Sequence, residues 1–205
     1  MRIRSRQFIA LIACASAALL STLLPRASAQ TLGEVEEFTA TAIVNNERAS
    51  GAGTVLIRVT RWSADMERMR LIDTLKQKGP EQLLDELKGM RSVGSIRTPD
   101  SLAYDLRYAH ERPGEDGGRQ IVLATDRPIG FWEAVHRPRT IQYPFTVIQM
   151  QMGSDGNGKG TKGKGTLSYA TKIVANRDGV ELENFDTQPV MLTEITARKA
   201  KGGFN

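Results

Sequence analysis

Cysteine and histidine are scarce in this sequence. Its 205 residues contain one cysteine, Cys14, so an intrachain disulfide and multi-thiolate metal sites are excluded. There are two histidines, His110 and His136. A tetrahedral zinc site would then need an unusual ligand set, so neither a metal nor a cofactor is expected. Eight prolines and 19 glycines are too few for a collagen-like or low-complexity chain. At 40% hydrophobic residues, a packed core is available. After residue 24 no apolar run approaches 18 residues, so no helical membrane span is expected there. No G-x-S-x-G motif occurs, which removes the usual nucleophile elbow.

The first feature present is an address. Arg2, Arg4 and Arg6 stand without an acid, residues 8–24 are almost wholly apolar, and Pro25 and Arg26 break the run. Ala27, Ser28 and Ala29 then form a small-x-small cleavage site. This order predicts a secretory signal peptide over residues 1–29 and a periplasmic or secreted protein. Leu11-Ile12-Ala13-Cys14 resembles a bacterial lipobox, so a lipoprotein anchored at Cys14 is the minor alternative. Against it, the apolar run continues ten residues past Cys14. Removing 29 residues from 205 leaves 176, without cysteine.

Cleavage also reinterprets the charge. The chain carries 28 Lys+Arg against 23 Asp+Glu, a net +5. Four of the basic residues, Arg2, Arg4, Arg6 and Arg26, lie in the leader, so 24 remain against 23 and the net charge falls to +1. No nucleic-acid partner is expected from such a balance.

Beyond the leader, hydrophobicity alternates with the period of two that marks strands. Residues 36–44 and 54–62 read as two strands separated by a loop. The period then changes to that of a helix. Ser63 reads as an N-cap, Met66, Met69, Ile72 and Leu75 recur every three residues, and Gly79 and Pro80 end one helix and start another. Residues 63–89 are therefore expected to be an α-helical hairpin inserted into a β-protein, its stripe packed on the sheet. Strands return at 93–97, 102–108, 121–124, 143–152, 167–173, 180–185 and 190–197. The run Ile121, Val122, Leu123 and Ala124 suits a strand covered on both faces. Asp178-Gly179 marks a hairpin turn. The fold expected is mainly β: an antiparallel β-sandwich or partly closed barrel of eight to ten strands with the inserted hairpin. Residues 30–197 form one domain, 153–165 a flexible Gly/Lys loop and 198–205 a disordered tail.

The loop at 153–165 imitates three motifs. It opens like a P-loop, but Gly160 stands where Ser or Thr must bind Mg²⁺. Gly158, Gly160 and Gly163 satisfy G-x-G-x-x-G, yet a strand follows where phosphate binding needs a helix. Asp155 and Asn157 start like an EF-hand, but Thr166 replaces the bidentate Glu. A hairpin loop accounts for all three.

One constellation carries chemistry. Asp105 and Arg107 share a strand face, Asp126 and Arg127 close the neighbouring strand, and Phe131, Trp132, Glu133 and His136 follow. Asp105, Arg107, Asp126, Arg127, Trp132 and His136 are the candidate ligand-binding residues, as a polar rim beside aromatics. The competing reading is a salt-bridge cluster at a sheet end.

Three stretches carry a resemblance. They are Ser95-Ile96-Arg97-Thr98-Pro99 through Ser101-Leu102-Ala103-Tyr104-Asp105-Leu106-Arg107-Tyr108-Ala109, Gly118-Arg119-Gln120-Ile121-Val122-Leu123-Ala124-Thr125-Asp126-Arg127-Pro128-Ile129, and Tyr143-Pro144-Phe145-Thr146. Together they resemble a group of small secreted bacterial proteins with no assigned activity. The resemblance implies an envelope or secreted location and transfers no catalytic residue. The function expected is an exported, non-catalytic β-rich domain binding a small molecule or an envelope component. One alternative is a hydrolase, such as a glycosidase, using a carboxylate pair from Asp105, Asp126 and Glu133. The other is an envelope assembly factor acting through the helical hairpin.

Overall fold

The computed structural model describes residues 34–46, 49–114, 117–127, 129, 146–154, 162–169, 172–175, 180–183 and 189–201. Residues 1–33 and the segment with Trp132, Glu133 and His136 lie outside them.

Eleven strands and two helices follow one another in the order β1 (Glu34–Asn46), β2 (Ala49–Val59), α1 (Asp65–Lys78), α2 (Pro80–Gly89), β3 (Gly94–Arg97), β4 (Tyr104–Leu106), β5 (Tyr108–Pro113), β6 (Arg119–Thr125), β7 (Thr146–Met152), β8 (Lys162–Tyr169), β9 (Lys172–Ala175), β10 (Val180–Glu183) and β11 (Val190–Lys201). Nine strands form one antiparallel sheet, in the order β4-β3-β2-β1-β11-β8-β7-β6-β5. Strands β9 and β10 form a separate hairpin.

The two edges of the large sheet, β4 and β5, are consecutive in sequence and separated only by Arg107. β4 pairs with β3 and β5 pairs with β6, so one bent strand joins both edges. The backbone N–H of Arg107 donates to the carbonyl of Ala124 on β6 at 2.8 Å. Its neighbour Tyr108 is also paired with Ala124. Two residues therefore oppose one, which is a β-bulge, and the sheet curls into a nearly closed barrel. Of the two expected architectures, the barrel is the one formed.

A second bulge lies in β11. Thr41 pairs with Thr193 and Thr39 with Thr196, so one extra residue is inserted in β11, and Glu194 there has φ 49°. The inward set consequently shifts phase, from Leu192 to Ile195. Bulges of this kind supply the local twist that barrel closure needs.

Inward positions are apolar. Phe38, Ile57, Ile96, Leu106, Ile121, Leu123, Ile148, Met150, Leu167 and Leu192 are the largest fully buried side chains. They belong to one cluster, so the barrel's centre is filled with side chains, as is usual at this strand number. Outward positions carry Thr39, Thr54, Gln149, Gln151 and Lys164. Lipid-spanning barrels show the reverse distribution. None of the described helices is long and apolar enough to cross a membrane.

The helical hairpin packs on the outside. Leu71 and Leu75 of α1 and Leu83 and Leu87 of α2 bury against Val147, with Tyr108 and Val122 beside it. Each fully buried leucine contributes about 1.5–3 kcal/mol. Val122 thus has cover outside while Ile121 and Leu123 point inside, which explains the continuous apolar run in β6. Gly79 joins the helices at φ 87°, a conformation that glycine adopts without a Cβ penalty.

The hairpin's entry differs from the expected cap. Ala64 is the N-cap, and its N–H donates to the Glu67 carboxylate at 2.8 Å. Ser63 ties the helix to the barrel instead: its N–H donates to Ala109 O, and its Oγ accepts from Ala109 N.

Three expected boundaries move. The β1–β2 ladder extends to Asn46 and Ala49, so most of the expected 45–53 loop is strand. β8 begins at Lys162, inside the stretch expected to be a loop through 165. The pairs Met152–Gly163 and Met150–Gly165 explain that shift. A Cβ on Gly163 would lie 2.4 Å from Met152 Sδ, so the methionine occupies the space glycine leaves. β11 continues to Lys201, paired with Glu34, so the expected tail starts later than Arg198. An ion pair between Arg198 and Glu37 fixes this extension.

Candidate functional site

The structure brings Asp105, Arg107 and Asp126 together. Asp105 faces outward from β4, Asp126 faces outward just after β6, and the bulge turns Arg107 toward both. Arg107 Nη2 lies 3.5 Å from Asp105 Oδ2, and Nε lies 3.5 Å from Asp126 Oδ2. Nη1 donates to the carbonyl of Met90, the C-cap of α2, at 3.2 Å. A guanidinium there also complements the negative end of the helix dipole. Ser92 Oγ donates to Asp105 Oδ1.

Asp126 is buried and its Oδ1 has no hydrogen-bond partner, nor has Arg107 Nε. Arg127 is exposed. Its N–H donates to Thr125 Oγ1, and its carbonyl accepts from Thr146 Oγ1. Trp132 and His136, the remaining expected members, lie outside the described residues. Arg107 therefore links the barrel seam to the end of the helical hairpin.

A different place offers a cleft. It has a volume of about 450 Å³ and lies where the β5–β6 and β7–β8 connections meet. Arg119, Gln120, Gln151, Met152, Lys162 and Lys164 line it, with glycines between them. Its floor is an ion cluster at the barrel end, in which Glu36 is buried, Arg119 half-buried and Glu111 exposed. Arg119 donates through Nη2 and Nη1 to both oxygens of Glu36 and through Nη1 to Glu111 Oε2 at 2.9 Å. Its guanidinium carbon sits 5.7 Å from the Phe38 ring centroid, within cation–π range. Burial by itself would lower the Arg119 pKa, but Glu36 and Glu111 hold it above the ordinary value.

Three lining residues, Gln120, Gln151 and Lys164, belong to a regular row that Arg112 continues outside the cleft. Arg112 pairs with Gln120, Gln120 with Gln151, and Gln151 with Lys164. These four outward residues form one row across β5, β6, β7 and β8. Arg112 Nε donates to Gln120 Oε1 at 2.9 Å. The helical hairpin covers Tyr108, Val122 and Val147 in the rows below and leaves this one open.

Sequence reasoning missed this row. The alternation of Gln149 and Gln151 with Ile148 and Met150 was visible, but the register across four strands was not. The glycines on both sides of Lys164 read as loop in the sequence alone.

Two aromatic groups adjoin the row on β5. Tyr108 and His110 stack with centroids 6.1 Å apart. Burial under α1 pushes the Tyr108 hydroxyl pKa up to about 12. Burial, with Arg68 nearby, lowers that of His110.

No protein-family model, curated protein or solved structure matches the chain.

Proposed function

We propose that this chain is an exported, non-catalytic β-barrel domain that binds a small polar molecule or an envelope component in the cleft at the β5–β6 and β7–β8 end. The cleft itself carries the reading. Its volume of about 450 Å³ lies within the range of small-molecule sites. The barrel centre is filled, so a ligand enters at this end and not along the axis. The leader-like residues 1–29 support export.

Among the described residues, the carboxylate pairs favour binding over hydrolysis. Glycoside hydrolysis needs one free acid and one free base or nucleophile across a cleft. Asp105 and Asp126 instead share Arg107, and Glu36 and Glu111 share Arg119. Each pair is occupied by its arginine.

Thermal-shift titration with a panel of envelope saccharides and small acids tests the proposal. A ligand at 100 times its Kd stabilises by about 2.7 kcal/mol, which moves Tm by several degrees. The Gln120→Ala, Gln151→Ala double variant should keep its own Tm and lose the shift. Turnover of a panel member would contradict the reading. So would a shift that survives in this variant.

A further inference from the structure

Gln120, Gln151 and Lys164 line the cleft and Arg112 extends their row beyond it, so the row restricts the kind of ligand the site can take. Successive members are register partners on adjacent antiparallel strands, so the row runs perpendicular to them and follows the curve of the barrel wall. Neighbouring strands lie roughly 4.8 Å apart, so four span roughly 14 Å. A cation stands at each end and two amides stand between.

All four residues present donors. Arg112 uses Nε on Gln120 Oε1, which leaves its two terminal NH₂ groups for a carboxylate. With its oxygen engaged, Gln120 turns its NH₂ group to the ligand. Lys164 is exposed and makes no ion pair within the described residues, and Lys162 flanks it on the same strand. Among the described residues, the cleft lining contains no carboxylate. Glu36 and Glu111 point inward onto Arg119. The nearest acid beyond Lys164 in the ladder is Glu194, at the β11 bulge, and it forms no ion pair with Lys164.

From this arrangement we infer that the ligand is a chain-like anion: an acidic oligosaccharide lying across β5 to β8, its carboxylates on Arg112 and Lys164 and its hydroxyls on Gln120 and Gln151. The inference rests on the cleft being the binding site, and it names the ligand class of that site. Amides at the centre suit hydroxyl groups, which accept from NH₂ and donate to C=O. Cations at both ends suit charges that repeat along a chain. A point anion would engage one end only. The helical hairpin covers Tyr108, Val122 and Val147 below the row, which favours a chain lying along the row itself.

Isothermal titration with tetragalacturonate, cellotetraose and inorganic phosphate tests this on the full chain. Tetragalacturonate should bind at least tenfold more tightly than cellotetraose, and a rise in salt should weaken it. Arg112→Gln with Lys164→Gln should remove that preference and leave Tm unchanged. Equal binding of cellotetraose would overturn the anionic assignment while leaving the cleft as a binding site. Phosphate binding as tightly as tetragalacturonate would overturn the chain-like assignment. If neither sugar bound, the inference would fail, and a flat thermal-shift panel as well would remove the cleft proposal too.

Discussion

Arg107 donates its backbone N–H to Ala124 O, and Tyr108 claims the same Ala124 as its register partner. This two-against-one contact is where the barrel closes. It also decides the direction of the Arg107 side chain, which lands between Asp126, Asp105 and the Met90 carbonyl. Arg107→Ala should destabilise the fold by about 2–4 kcal/mol, because it leaves the buried Asp126 carboxylate without a counterion. Arg107→Met with Asp126→Leu should recover most of that loss, since two apolar groups leave no orphaned charge. Urea unfolding of the three proteins measures both effects. Ligand affinity should be the same in all folded variants.

Gly165 faces inward where β8 passes β7. A Cβ at this position would meet Gln149 O at 2.3 Å, which is backbone and cannot rotate away. Gly165→Ala should therefore cost about 1–3 kcal/mol as overpacking. Gly51 has nothing within 4 Å of its would-be Cβ. Gly51→Ala should leave stability unchanged or slightly raised, as the unfolded chain loses freedom. Thermal unfolding of the pair separates steric exclusion from a general dislike of alanine in strands.

Tyr108 lies beneath the helical hairpin, and burial raises its pKa to about 12. In the unfolded chain a tyrosine ionises near pH 10. Between these values the unfolded state has released the proton and the folded state retains it. The contribution is thus complete below about pH 10 and is lost as pH rises toward 12. Tyr108→Phe should flatten this alkaline loss relative to the parent. Denaturation midpoints taken from pH 9 to 12 show the difference in slope.

Much of the barrel was legible because its signals are local. The alternation in β7, the continuous run in β6 and the change of period at residues 63–89 each follow from which faces are covered. What escaped depends on pairing. Leu102, Tyr104, Leu106 and Tyr108 alternate in sequence as one face. The bulge at Arg107 turns Tyr108 outward to the helices while Leu106 stays inside, and Leu102 is 88% exposed. Gly163 and Gly165 read as loop because their strand character comes from Met150 and Met152 opposite. Asp105, Arg107 and Asp126 were legible as neighbours, since Asp105 and Arg107 share a face and Asp126 ends the next strand. The Arg112 to Lys164 row was not, because it exists only once four registers are fixed.

The most direct test of the account is to map ligand contacts on the folded protein. ¹H–¹⁵N correlation spectra recorded during a tetragalacturonate titration report each amide separately, including the side-chain NH₂ groups of Gln120 and Gln151. The account predicts saturable shifts at Arg112, Gln120, Gln151 and Lys164 and at the glycines between them. The amides of Asp105, Arg107 and Asp126 should stay fixed. Shifts concentrated at those three, or on the helical hairpin, with the Gln120 and Gln151 side chains unmoved, would contradict it.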